Sequence, residues 1–165
     1  MVDRLRPYSP KKVNGYVQPL LNYLGLEARE AALLRVSKPH GFTPEENNCH
    51  LNVWCQLRAV GGSAQHGWQL AQDPKHRFSE AIFHTVWRTE TGELRDLTPR
   101  QDGEKEILFV PDHTRAIELA EHGGSPAINT FSSVKAVAGK VFEPLHSIQI
   151  VMQSNFAQRH GLWPW

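Results

Sequence analysis

Residues 80–99, "EAIFHTVWRTETGELRDLTP", hold two runs of β-branched and apolar residues on either side of Thr91-Gly92, and nothing else in the chain restricts the fold as strongly. Successive side chains on a strand point to opposite faces, and a glycine-bearing turn between two such runs reads as a β-hairpin. The length of the turn decides its chemistry. A two-residue turn at Thr91-Gly92 pairs Glu90 with Glu93 and puts His84 and Asp96 on opposite faces. A three-residue loop of Glu90, Thr91 and Gly92, with Gly92 left-handed in a bulge, pairs Thr89 with Glu93 instead. Asp96 then faces Val86, and His84 stands diagonally from it on the same face, roughly 7–8 Å away at the backbone. A histidine and a carboxylate leaning together close that span, so the longer loop permits a His84–Asp96 pair.

Upstream of the hairpin the pattern is helical. Tyr16, Val17, Leu20, Leu21 and Leu24 recur at helical spacing, "LGLE" breaks the run, and "EAREAALLRV" continues with strong helix formers. After a Pro/Gly loop, "NNCHLNVWCQL" opens another helix, which Gly61-Gly62 stops. Two starts are open to it. Thr43-Pro44-Glu45-Glu46 has the form of a capping box, which leaves Cys49 in the second turn; a cap at Asn48, the preferred reading, makes Cys49 the first helical residue. There, unpaired backbone N–H groups and the helix dipole favour a thiolate.

Beyond the glycines strands are expected at "GWQLAQ", "EILFVPD" and "SIQIVMQ", with a short helix at "HTRAIELAEHGG". Helices first and then a mostly antiparallel sheet argue for an α+β fold, N-terminal helices packed on the sheet. The chain has 165 residues, 40% hydrophobic and 21% charged, the size and balance of a single globular domain spanning 1–165. A net charge of +1 with scattered Lys and Arg carries no footprint of a nucleic-acid or membrane surface, so neither partner is expected. No stretch approaches the roughly 20 apolar residues of a membrane span, and the first residues lack an apolar signal core; a cytoplasmic location is the expectation. Cys49 and Cys55, the only cysteines, are six apart and point to different helix faces, so no bridge between them is expected.

A free thiol ionises near pH 8.5, so a nucleophilic cysteine needs a base, and the base needs an orienting group. Cys49, His84 and Asp96 supply attacking thiolate, proton carrier and the carboxylate that fixes the tautomer, with backbone N–H groups at the helix head to hold an oxyanion. No cofactor is required. Asn52, one turn beyond Cys49 on the same helical face, and Trp68 are candidate substrate contacts, each with a structural alternative: backbone bonding for Asn52 and core packing for Trp68.

The string Cys49-His50-Leu51-Asn52-Val53-Trp54, followed by "FHTV" and "LRDLTP", resembles the Cys-x-x-Asn-aliphatic-Trp, His-x-Val and Asp-x-Thr elements of N-terminal glutamine amidohydrolases. More broadly it is similar to papain and transglutaminase-like cysteine hydrolases, and to small bacterial domains of unassigned function. The likeness covers residues 47–99. It implies a papain/transglutaminase-like core, with Cys49 as nucleophile, His84 as base and Asp96 as orienter. The expected activity is cysteine-dependent hydrolysis of a carboxamide or peptide bond through a thioester, first of all a glutamine-type deamidation on a protein or peptide. Two alternatives stand beside it. Nine histidines invite a zinc site from Cys49, His50, Cys55, His66 and His84, although adjacent Cys49 and His50 point about 100° apart on a helix. The other is a catalytically inert protein-binding module on the same fold.

Overall fold

A computed structural model describes residues 3–165. Three helices, α1 (Gln18–Leu24), α2 (Cys49–Val60) and α3 (Phe156–Arg159), pack with ten strands. The strands are β1 (Ala32–Arg35), β2 (Ser63–Asp73), β3 (Phe78–Arg88), β4 (Leu94–Arg95), β5 (Glu106–Pro111), β6 (Glu118–His122), β7 (Ser125–Phe131), β8 (Val134–Val137), β9 (Lys140–Glu143) and β10 (Ser147–Val151). Every ladder between these strands is antiparallel, in a large sheet ordered β1-β5-β2-β3-β8-β9, with β4 also on β3, and a small one ordered β10-β7-β6. The fold is α+β, with few helices against mostly antiparallel sheet. No helix among the described residues is long and apolar enough to cross a membrane.

The long β2–β3 pair divides the molecule. Trp68 and Leu70 of β2, Ala81 and Phe83 of β3, and Leu108 and Val110 of β5 share one face, which α1 covers with Val17, Leu20, Leu21 and Leu24. Gly25 ends α1 in the left-handed conformation at φ 72°, the break expected at "LGLE". The other face carries Val86, Ile107 and Phe109, packed with Leu34 of β1. His84 belongs to this second face.

Two segments expected as helices are not. Residues 27–36 form a 3-10 turn (Ala28–Glu30) and then β1, paired with β5 from Ala32↔Phe109 to Arg35↔Glu106. Helix propensities differ by only about 0.7 kcal/mol per residue, and here burial of Leu34 plus a free edge of β5 outweigh them. In residues 113–124 the Gly-Gly pair is a hairpin turn rather than a helix stop. Gly123 and Gly124 have φ of 57° and 78° and join His122 to Ser125, the two-residue geometry that twists with its strands. β7, β8, β9 and α3 lie where the sequence shows no clear period.

Candidate active site

The β3–β4 connection is the three-residue loop. Thr89 N–H donates to Glu93 O at 2.8 Å, Gly92 N–H donates to Thr89 O at 2.9 Å, and Gly92 takes φ 92°. The ladder then runs Arg88↔Leu94 and Trp87↔Arg95, which carries Asp96 onto the face of His84. His84 Nε2–H donates to Asp96 Oδ1 at 2.9 Å, with the histidine 7% and the aspartate 0% exposed. Asp96 Oδ1 also accepts the backbone N–H of Thr98 at 3.2 Å, so the Asp-x-Thr turn itself aims the carboxylate.

Helix α2 begins at Cys49 with Asn48 as its cap residue; Thr43 caps nothing. The Asn48 side chain makes no capping bond and instead donates to Glu45 Oε2 at 3.4 Å, leaving the first-turn N–H groups without a side-chain acceptor. The preceding residue, Asn47, is left-handed at φ 57°, which turns the chain sharply into the helix. Between its pairing with β8, which ends at Ala81↔Val134, and its pairing with β4, which begins at Trp87↔Arg95, β3 has no strand on that side. The head of α2 meets this gap, and Cys49 lies against the backbone of Thr85 and the ring of His84. Since Nε2 is committed to Asp96, Nδ1 is the ring nitrogen left for the thiol.

The electrostatics follow from this packing. Burial alone raises the Cys49 pKa, but the adjacent His84 ring and the Thr85 backbone outweigh it and hold the thiol below its usual value. Burial pulls His84 down, whereas Asp96 and Cys49 push it up to about 10. Each group thus favours the charged form of the other, thiolate at Cys49 and imidazolium at His84. Cys55 differs: burial raises its pKa, with Arg58 opposing.

A cavity of about 310 Å³ opens beside the pair, lined by Cys49, His84, Gln69, Ile82, Thr98 and Arg100 among others. Trp68 does not line it. Its side chain is 0% exposed in the α1-covered core, packs edge-on to Phe83 at 4.9 Å and donates Nε1–H to Asp112 at 2.9 Å. It sits at an even position of β2 and the cavity lies on the odd face, so the expected substrate contact is corrected to core packing. Asn52 is likewise 0% exposed and absent from the cavity wall. It accepts Glu45 N–H at 3.0 Å, donates to Glu45 O at 2.8 Å and reaches Thr98 Oγ1 at 3.3 Å. Its place is corrected from substrate contact to a bond between three segments of the site.

His50 and His66 face each other with ring centroids 5.7 Å apart, and burial, then His66, pushes His50 down to about 4. Among the described residues no three His, Cys, Asp or Glu side chains are arranged to hold a metal, so Cys49, His50, Cys55, His66 and His84 do not converge on one. Both cysteines are free. Sequence reasoning missed Gln69 and Gly67. Gly67 stands across the ladder from His84, and a Cβ there would come within 2.5 Å of the Phe109 ring, so the glycine admits the aromatic ring that packs on the imidazole. Comparison with models of known protein families, with curated proteins and with solved structures returned no match.

Proposed function

We propose that this protein is a cysteine-dependent amidohydrolase on a papain/transglutaminase-like core. One observation carries the reading: His84 is fastened to Asp96 at 2.9 Å through Nε2 while its other edge faces a thiol at the uncapped head of α2, at the wall of a cavity. That arrangement meets the requirements of an activated sulfur nucleophile, its proton carrier and an orienting carboxylate.

The thiolate of Cys49 attacks a carboxamide or peptide carbonyl, whose π electrons move to oxygen. First-turn N–H groups of α2 stabilise that oxyanion, each well-aimed donor worth about 3 kcal/mol. Collapse breaks the C–N bond, the amine leaves with the proton of His84, and a thioester remains. Neutral His84 then takes a proton from water, the hydroxide attacks the thioester, and the thiolate departs to restore the pair. A cavity at the lower end of the ligand-site range suits a small amide, and deamidation of a glutamine-type side chain or terminus is the favoured reaction.

Labelling with iodoacetamide at pH 6 tests this. Fast alkylation of Cys49 over Cys55, with ammonia released from glutamine peptides by the native chain and not by Cys49→Ala, supports the proposal. Equally slow labelling of both thiols overturns it.

A further inference from the structure

Helix α2 carries the thiol on a first turn that no side chain caps. The residue before its cap, Asn47, has a left-handed backbone at φ 57°, a conformation that its neighbours must hold. What precedes Asn47 therefore fixes where Cys49 stands. Two residues back lies Glu45, gripped through backbone and side chain alike. Asn52 bonds both its backbone N–H and its carbonyl. Its carboxylate takes three donors: Arg159 Nη2 at 2.5 Å on Oε1, with Ser154 Oγ at 2.6 Å and Asn48 Nδ2 at 3.4 Å on Oε2. Glu46 and Asn47, between this anchor and the helix cap, both line the catalytic cavity.

The two short bonds come from Ser154 and Arg159, which stand 109 and 114 residues further along the chain. Ser154 Oγ also accepts the N–H of Phe156 at 3.3 Å, at the start of α3. Phe156, Ala157 and Leu162 are buried with Leu51 and Cys55 of α2. In the last turn of α2, Arg58 donates to the carbonyls of His160 at 3.3 Å and Gly161 at 3.2 Å. The α3 segment thus lies along α2 and is fastened at both of its ends, at Arg58 directly and at the head through Glu45. An ion pair whose arginine is half exposed adds little to stability, because water and salt screen it. Its place at the entry to the helix that bears the thiol is what distinguishes it.

We propose that Glu45 is a positioning residue for Cys49: pinned by Ser154 and Arg159, it holds the first turn of α2 against Thr85 and His84. The assignment rests on the amidohydrolase reading above. Glu45→Ala is expected to lower kcat on a glutamine peptide by up to about 10²-fold, the cost of an ångström of misplacement, and to leave KM unchanged. The rise of Cys49 alkylation by iodoacetamide should move to higher pH, since the sulfur loosens from the imidazole. Arg159→Ala, which truncates an exposed side chain and opens no core, should act in the same direction but less, because Ser154 remains. Both act through one carboxylate, so adding Arg159→Ala to Glu45→Ala should cost nothing further. Native kcat and a native alkylation profile in Glu45→Ala overturn the assignment, whatever happens to Tm. So does an Arg159→Ala effect that adds in full to that of Glu45→Ala. A native chain that releases no ammonia, yet shows the alkylation shift in Glu45→Ala, sinks the amidohydrolase reading and keeps the positioning role. Turnover without the shift sinks the positioning role alone, and neither turnover nor shift sinks both.

Discussion

Gly67 and His84 face each other directly across the β2–β3 ladder, and the ring of Phe109 passes over the glycine to lie 6.5 Å, centroid to centroid, from the imidazole. A methyl group at position 67 would come within 2.5 Å of that ring and 2.3 Å of the Val110 carbonyl. Neither neighbour is a flexible side-chain end. Gly67→Ala is therefore expected to destabilise the protein by about 1–3 kcal/mol, as overpacked cores do, and to slow Cys49 alkylation by displacing His84. Urea unfolding and iodoacetamide kinetics check the two effects; an alanine variant with native stability would contradict the close approach.

Cys49 and His84 together set the pH dependence. Cys49 ionises below its ordinary value of 9.0, and His84 keeps its proton up to about 10. Alkylation of Cys49 should hence rise at a lower pH than alkylation of Cys55, whose thiol burial raises. Replacing the carboxylate in Asp96→Asn lowers His84, weakens its hold on the thiolate and moves the Cys49 rise to higher pH.

Stability follows the same groups. His84 is raised, so its contribution is full below its unfolded value of 6.5 and is lost as pH climbs toward about 10. Cys49 is depressed, so its contribution is full above 9.0 and is lost as pH falls. The two slopes oppose each other at intermediate pH; above 9.0 only the His84 loss remains, and the pair's net contribution should fall as pH climbs from 9 toward 10. Urea unfolding of the native chain against a Cys49→Ala, His84→Gln double variant reads this directly; a difference that rises over that interval would refute it.

Asn52 joins the Glu45 backbone to Thr98 beneath the head of α2. Asn52→Ala strands the N–H and the carbonyl of Glu45, and each orphaned group should cost about 1–3 kcal/mol. Because the same bonds hold the entry to α2 against the Asp96–Thr98 turn, turnover should fall more than substrate affinity. Unfolding curves with kcat and KM on a glutamine peptide test both parts.

Trp68→Phe should act on stability alone. The indole fills the α1-covered core and bonds Asp112, which keeps Arg115 and Thr114 as partners. A loss of about 1–3 kcal/mol with unchanged KM is expected, since the ring does not reach the cavity. A raised KM at native stability would return Trp68 to the substrate.

Short-range chemistry was legible along the chain. The span from Asn48 to Gly61 carried its own helix start and stop, and the odd-length loop at Glu90, Thr91 and Gly92 decided that His84 and Asp96 share a face, because turn geometry and period-two alternation depend on neighbours a few residues away. Residues 118–122 became a strand through the local Gly123-Gly124 turn that pairs them with 125–129. Residues 32–35 went the other way: helix-forming side chains became a strand, since their pairing partners at positions 106–109 lie far along the chain and are worth more than local propensity. The same holds for the site's walls. That Trp68 faces the core while Gln69 faces the cavity follows from which side of β2 the helices cover, and that Cys49 meets His84 follows from the gap left along β3 between β8 and β4. Burial and facing are properties of the assembled layers, and no window of sequence contains them.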